Sequence, residues 1–165
     1  MILAIQNRQR RKRIDTRLLG RMTRELLSKH LNVPEAELGV HLVGAREMAE
    51  VNQQFLNHEG STDVITFDHR EQPVTQPTFS CAIHGELFIC VEDAEIQARE
   101  FGTSWSEELV RYVVHGVLHL CGFDDLEPKA RRRMKTQEGR LLRELCRAYD
   151  PADLERKARP RARSR

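Results

Sequence analysis

The chain has 165 residues, of which 39% are apolar, 32% are charged and 5% are aromatic. This length and composition predict one domain with a modest core and argue against two separate domains. The formal charge of +2 comes from 27 basic and 25 acidic residues, so net charge alone indicates no particular partner.

Apolar stretches are short along the whole sequence. None approaches the ~20 residues that cross a bilayer, and the charges of MILAIQNRQRRKR follow its apolar run, unlike those of a signal peptide. The four cysteines form no Cys-x-x-Cys pair, so we expect them to be reduced. The sequence therefore predicts a soluble, cytoplasmic protein that contacts no membrane.

Strands are predicted from runs of β-branched and aromatic residues, and helices from apolar residues at a spacing of three and four. In chain order these are a strand over 2–6, a helix over 15–32, a strand over 38–43, a helix over 46–57, a strand over 63–67, a loop over 69–80, a strand over 86–91, a helix over 92–101, a helix that begins after Ser104, and a last helix over 128–148. This order is typical of an α+β or α/β two-layer domain, which we place at residues 1–150. Residues 151–165 have a local net charge of +4 and few apolar side chains, so we expect a basic, disordered tail.

The helix after Ser104 carries the most informative pattern. Ser104 and Glu107 have the spacing of a capping box, which predicts a helix start. The segment that follows, LVRYVVHGVLHLC, is apolar on nearly every side, as in a helix buried in the core. We therefore expect this helix to be central.

Two histidines interrupt that apolar helix. His115 and His119 lie about 40° apart around the axis and about 6 Å apart along it, so both rings can reach one ion. Gly122 is placed to end the helix in a left-handed conformation, and the reversal brings Asp125 back towards the same point. This set leaves a fourth tetrahedral position for water, the open coordination of a catalytic zinc.

These residues have other interpretations. A single histidine in an apolar helix is usually a core residue, but two at ligand spacing with a returning carboxylate favour a metal. Gly116 costs ~1 kcal/mol relative to alanine inside a helix, which indicates a close approach there. Asp124 either orients His119 and relays a proton, or is a plain turn residue, and the sequence favours neither.

The same pattern resembles the metzincin peptidases, whose motif is His-Glu-x-x-His-x-x-Gly-x-x-His or Asp. Each metal position of that motif is matched in this sequence, but Gly116 replaces the glutamate that acts as general base. A metzincin-like peptidase is therefore the disfavoured alternative.

The segment HGVLHLCGFDD resembles the His-Gly-x-Leu-His-Leu-x-Gly-Tyr-Asp-His signature of the YbeY endoribonucleases. The resemblance covers most of residues 40–145 and includes Asn52, Thr62 to Phe67, Gly85 to Ile89, and Met134 with Glu138. It implies an α+β fold with a four-stranded mixed sheet, about five helices and a buried central metal-binding helix. It also implies one Zn²⁺ on His115, His119 and Asp125, which would act through a metal-bound water.

The resemblance further implies the substrate and partners. These are single-stranded ribosomal RNA and the ribosome or its small subunit, with roles in 3′-end maturation and ribosome quality control. A third possibility is a non-catalytic ribosome-assembly module in which the metal is structural. Iron, nickel or manganese can occupy a similar ligand set, so the sequence leaves the native metal open.

Two positions depart from the family pattern. Asp125 stands where the family has a third histidine, and Leu56 stands where an arginine after an aromatic residue is expected to hold a phosphate. Arg46, Arg70 or a tail arginine is a candidate substitute for that arginine. Basic clusters at 8–13, 131–135 and 156–165 are also candidates for phosphate contacts.

Overall fold

A computed structural model of the chain describes residues 1–156. Within this range the strands and helices are β1 (Ile2–Asn7), α1 (Thr16–Glu25), β2 (Ala36–Val43), α2 (Ala45–Val51), β3 (Val64–Asp68), β4 (Ile83–Cys90), α3 (Val91–Phe101), α4 (Trp105–Leu120) and α5 (Pro128–Ala148). α1 and α2 continue into π-helical turns at Leu26–His30 and Asn52–Leu56. None of the helices in residues 1–156 combines the length and apolar character that a bilayer crossing requires.

The four strands form one mixed sheet in the order β1-β2-β4-β3. β1 pairs with β2 and β2 with β4 in parallel, whereas β3 pairs with β4 in the antiparallel direction. The predicted α+β fold with a four-stranded mixed sheet is confirmed.

One face of the sheet packs on α4, which is the buried central helix that the sequence predicts. Val113, Val114, Val117 and Leu118 of α4 are buried with Leu87 of β4 in one core cluster. A Cβ on Gly116 would lie 2.6 Å from Cδ2 of Leu87, so the glycine lets α4 approach β4 closely. The close approach expected at Gly116 is confirmed.

Side-chain caps fix the starts of two helices. Asp15 accepts hydrogen bonds from the backbone N–H groups of Arg17 and Leu18, each at 3.0 Å. Ser104 accepts from the N–H of Glu107 at 3.1 Å, but the carboxylate of Glu107 lies 3.6 Å from the guanidinium of Arg111. The predicted capping box is therefore formed only in its serine half.

β4 begins at Ile83, three residues before the predicted start at 86. His84 and Glu86 alternate with Ile83 and Leu87, because they point to the face of the sheet opposite α4. Because these polar residues interrupt the apolar run, the sequence pattern places the start of the strand too late.

The predicted end of the domain at residue 150 is too early. Pro151–Leu154 forms a 3₁₀ helix, and the side chain of Leu154 is fully buried in the main core cluster. Glu155 forms an isolated bridge with Ile14, and the N–H of Arg156 donates to the carbonyl of Arg13. The buried side chain of Leu154 and these backbone contacts together dock the segment on the domain. The rest of the predicted tail, 157–165, lies outside the described residues.

Candidate metal centre

The last two turns of α4 place two imidazoles side by side. Nε2 of His115 and Nε2 of His119 are 3.1 Å apart. α4 ends just before Gly122, whose φ of +81° is left-handed, as its position predicts. The returning chain places carboxylate oxygens of Asp125 3.7 Å from Nε2 of His115 and 3.9 Å from Nε2 of His119.

The outer nitrogens of both rings are held by acceptors. Nδ1 of His119 donates to the carbonyl of Phe123 at 3.0 Å, and Nδ1 of His115 donates to Oε2 of Glu138 at 2.8 Å. A carbonyl or carboxylate only accepts, so each Nδ1 carries the proton and each Nε2 of a neutral ring presents a lone pair. Two imidazole lone pairs and the Asp125 carboxylate then face one point, which a cation would satisfy.

The distances fit a metal ion. Tetrahedral zinc with Zn–N bonds of about 2.0–2.1 Å holds its ligand atoms about 3.3 Å apart. The donor atoms of His115, His119 and Asp125 are all within 4.8 Å of one another, and the two nitrogens are close to the tetrahedral separation. The three residues named from the sequence therefore form a group that can hold a metal ion.

The electrostatics differ between the two histidines. Burial and the neighbouring His115 lower the pKa of His119, which favours its neutral, metal-binding form. Burial also disfavours charge on His115, but the hydrogen bond and the negative charge of Glu138 outweigh it and raise the pKa of His115. A proton therefore competes with a metal ion for Nε2 of His115 more strongly than for Nε2 of His119.

Glu138 is fixed by further buried charges. Burial opposes its ionisation, but its bonds to His115 and Arg111 lower its pKa. Nη1 of Arg111 is 3.2 Å from Oε1 of Glu138, and its Nε is 3.3 Å from Oε2 of Glu108. The hydroxyl of Thr103 donates to Glu108 at 2.7 Å. These bonds tie α4 to α5 and aim Glu138 at the metal-facing histidine.

The sequence motifs do not indicate a role for Glu108 or Arg111, and Glu138 follows only from the family resemblance. A signal for the first two was present, since Glu108, Arg111, His115 and His119 follow one another at spacings of three and four. They form one polar stripe along an otherwise apolar helix. Glu138 gave no comparable signal, because its contact depends on how α5 crosses α4.

Asp124 is a turn residue. Its Oδ1 accepts from the N–H of Asp125 at 2.7 Å and from the N–H of Leu126 at 3.2 Å. The Phe123 carbonyl, and not Asp124, orients His119. The side chain of Asp124 is engaged in the turn, and the proton relay considered for it stays a prediction.

The donor group opens into a cleft of about 710 Å³. Its carboxylates are Asp63, Glu108, Asp125 and Glu138, and its cations are Arg111 and Lys135. Arg111 is engaged by three glutamates. Lys135 is exposed and has no carboxylate partner among residues 1–156. It is the cation of this cleft that remains available to a bound anion.

Arg46 and Arg70, two of the proposed substitutes for the missing arginine, lie outside this cleft, and the tail arginines after residue 156 lie outside the described residues. Arg70 donates to the carbonyls of Ala82 and Leu120 and to the carboxylate of Asp68, so it is a structural clamp. The side chain of Arg46 is 94% exposed and pairs with Glu50. Neither arginine lines the cleft.

Known proteins with similar sequences identify the family. A family model described as Endoribonuclease YbeY matches residues 4–146. The chain belongs to the YbeY endoribonuclease family. A protein named Endoribonuclease YbeY from Chlorobium luteolum is 34% identical over 150 residues, covering 89% of this chain and 100% of that protein. A protein of the same name from Elusimicrobium minutum is 35% identical over 108 residues, covering 66% of this chain and 73% of that protein.

A solved structure supports the same fold. The solution structure of TM1509 from Thermotoga maritima matches with a TM-score of 0.63 and 27% sequence identity, covering 98% of this chain and 100% of that one. The YbeY resemblance drawn from HGVLHLCGFDD is thus confirmed. The name Endoribonuclease YbeY places this family among the nucleases, a class of hydrolases, which favours that class over the peptidase alternative.

Proposed function

We propose that this protein is a zinc-dependent endoribonuclease that cleaves single-stranded RNA at the His115–His119–Asp125 group. One observation carries the proposal: three electron-pair donors face one point in an open cleft, and the other nitrogen of each imidazole is already bonded. Such a set has the ligands of a catalytic zinc, with one position left for water or substrate.

The choice of zinc rests on the ligand types. Two imidazoles and one carboxylate suit zinc, and a set of three protein ligands with one open position is that of a catalytic zinc. When bound, the ion would supply Lewis acidity to a phosphate oxygen and raise the acidity of water.

The side chains of the cleft have separate tasks. His115, His119 and Asp125 would hold the ion, while Glu138 and the Phe123 carbonyl keep the two rings in the coordinating orientation. Lys135 is placed to contact a substrate phosphate and to offset the repulsion between that phosphate and the surrounding carboxylates.

The family resemblance supplies the finer proposal for the substrate. We place the activity on ribosomal RNA of the small subunit, in 3′-end maturation and ribosome quality control, and therefore in the cytoplasm. The ribosome or its small subunit is the corresponding partner. Support for these points comes from kinship with proteins named Endoribonuclease YbeY.

The test combines metal analysis with cleavage of a labelled single-stranded RNA. We expect about one zinc per purified chain, loss of cleavage on chelation, and loss of both metal and cleavage in Asp125→Asn. Asp124→Asn is the matched control, since its oxygen can still accept the two turn N–H groups, and it should retain both.

Two results would overturn the proposal. If the metal-loaded wild-type protein leaves RNA intact and folded Asp125→Asn still supports ribosome assembly in cells, the protein is a non-catalytic assembly module in which the metal is structural. If the wild-type protein hydrolyses casein and leaves RNA intact, and His115→Ala abolishes that hydrolysis, the peptidase alternative is correct.

A further inference from the structure

A second cleft, of about 1140 Å³, lies away from the candidate metal centre. Its charged lining is entirely basic and consists of Arg10, Lys12, Arg13, Arg17 and Arg156. The nearby carboxylate of Asp15 caps α1 and pairs with Arg156 at 3.5 Å. The cleft is therefore a concentrated positive surface on a chain whose formal charge is only +2.

The basic segment is held in a fixed conformation by Gln9, which is only 8% exposed. Its amide nitrogen donates to Oδ1 of Asn7 at 2.8 Å and to the carbonyl of Lys12 at 2.9 Å. Its amide oxygen accepts from the N–H groups of Arg11 and Lys12 at 2.8 and 2.9 Å. The backbone that presents the arginines is thus ordered before any ligand binds, which lowers the entropy cost of binding.

The charges of this segment fall into two groups. Arg11 and Lys12 pair with Glu95 of α3. Arg10, Arg13 and Arg17 line the cleft and have no carboxylate partner among residues 1–156. Three like charges around one cavity repel each other, and an anion with several phosphates would relieve that repulsion.

The cleft is separate from the candidate metal centre, and one of its lining residues lies beside the start of α4. Nζ of Lys12 lies 5.4 Å from the ring centre of Trp105, the first residue of α4. His115 and His119 are 10 and 14 residues further along this helix. At a rise of 1.5 Å per residue, these histidines lie about 15–21 Å along α4 from Trp105.

We propose that the cleft of Arg10, Arg13 and Arg17 binds the phosphate backbone of the single-stranded RNA that is cleaved at the candidate metal centre. The inference rests on the proposed function. Guanidinium groups suit phosphate because they form paired hydrogen bonds. Contacts of this kind add affinity and position the strand without reading its sequence.

The experiment uses a triple variant, Arg10→Gln, Arg13→Gln and Arg17→Gln, in the full chain. A control variant, Arg46→Gln, Arg99→Gln and Arg147→Gln, removes the same charge from exposed residues outside the cleft. The affinity for a fluorescent 20-nucleotide single-stranded RNA is measured by anisotropy over a range of salt concentrations. Far-ultraviolet circular dichroism and urea unfolding verify that both variants fold.

We expect the cleft variant to lose at least about tenfold in affinity at low salt. The slope of log Kd against log salt should fall by about 2, since each single-strand phosphate contact contributes about 0.7. The control variant should keep most of the wild-type affinity and slope.

Three outcomes would overturn the inference. They are an unchanged salt slope in the folded cleft variant, equal losses in both variants, and competition by polyglutamate as effective as competition by RNA. The last result would identify an acidic protein segment as the ligand.

Cleavage by the wild-type protein is assayed separately. Binding that depends on the cleft without cleavage would disprove the nuclease proposal and leave an RNA site.

Discussion

Glu138 and His115 lie on different helices, yet Oε2 of the carboxylate is 2.8 Å from Nδ1 of the imidazole. This contact places the proton of the ring on the outer nitrogen and turns the lone pair of Nε2 towards His119 and Asp125. The metal-binding orientation of a residue on α4 thus depends on a residue on α5.

The first prediction concerns this contact. Glu138→Gln should keep the fold but lower zinc affinity by about tenfold, because an amide is a weaker acceptor and carries no charge. Glu138→Ala should lower it by about 10- to 100-fold. Competition with a chromophoric chelator measures both values. Glu144→Gln, on the same helix but outside the cleft, is the control and should bind zinc as the wild type does.

Local signals account for what the sequence predicted well. The bounds 128–148 predicted for the last helix match α5, because Pro128 fits the first turn and buried residues recur at helical spacing up to Leu145. His115, His119 and Asp125 were found because helix geometry and one glycine turn determine their separation over only 11 residues.

The parts that were missed depend on tertiary packing. The Phe123 carbonyl that orients His119 is a backbone group, so no residue type marks its role. Docking of Leu154 depends on a cavity built by distant elements. The bond between His115 and Glu138 joins residues 23 apart, and only the crossing of two helices brings them together.

The second prediction concerns the contact between α4 and β4. In Gly116→Ala the new methyl would be 2.6 Å from Cδ2 and 3.1 Å from Cδ1 of fully buried Leu87, so the whole side chain has to shift. We expect a loss of about 1–3 kcal/mol in the free energy of unfolding, despite the better helix propensity of alanine. Urea unfolding measures it.

Gly139→Ala on α5 is the matched control for that substitution. Its methyl would meet only the guanidinium of Arg143 at 3.4 Å, so helix propensity should raise stability by up to about 1 kcal/mol. Adding Leu87→Val to Gly116→Ala should recover part of the loss. Strict additivity of the two substitutions would show that they do not share a contact.

The third prediction is a pH dependence of stability at Asp68. The hydrogen bond from Arg70 lowers the pKa of this carboxyl in the folded protein. A lowered folded pKa contributes stability above the unfolded pKa of about 3.9 and loses it as pH falls through the folded value. Asp68→Asn should therefore be less stable than wild type at pH 7, and the difference should shrink below about pH 4.

Urea midpoints between pH 7 and pH 3 measure this difference. Glu50→Gln is the control, because Glu50 pairs with a side chain that is 94% exposed, and its effect should stay within about 0.5 kcal/mol at each pH. A constant difference between Asp68→Asn and wild type across this range would contradict the assigned pKa shift.

The last prediction concerns Lys135 and the missing arginine at position 56. Leu56 is exposed on the π-helical turn after α2 and offers no charge, whereas Lys135 lines the metal-facing cleft without a carboxylate partner among the described residues. Lys135→Ala should therefore raise the KM for single-stranded RNA several-fold and leave zinc affinity unchanged. Arg132→Ala, three residues earlier on α5 but outside the cleft lining, is the matched control. Because an ammonium acts as a point charge, Lys135→Arg should restore most of the lost affinity. An equal rise in KM for the control, or no rise in Lys135→Ala, would show that the substrate phosphate is held elsewhere.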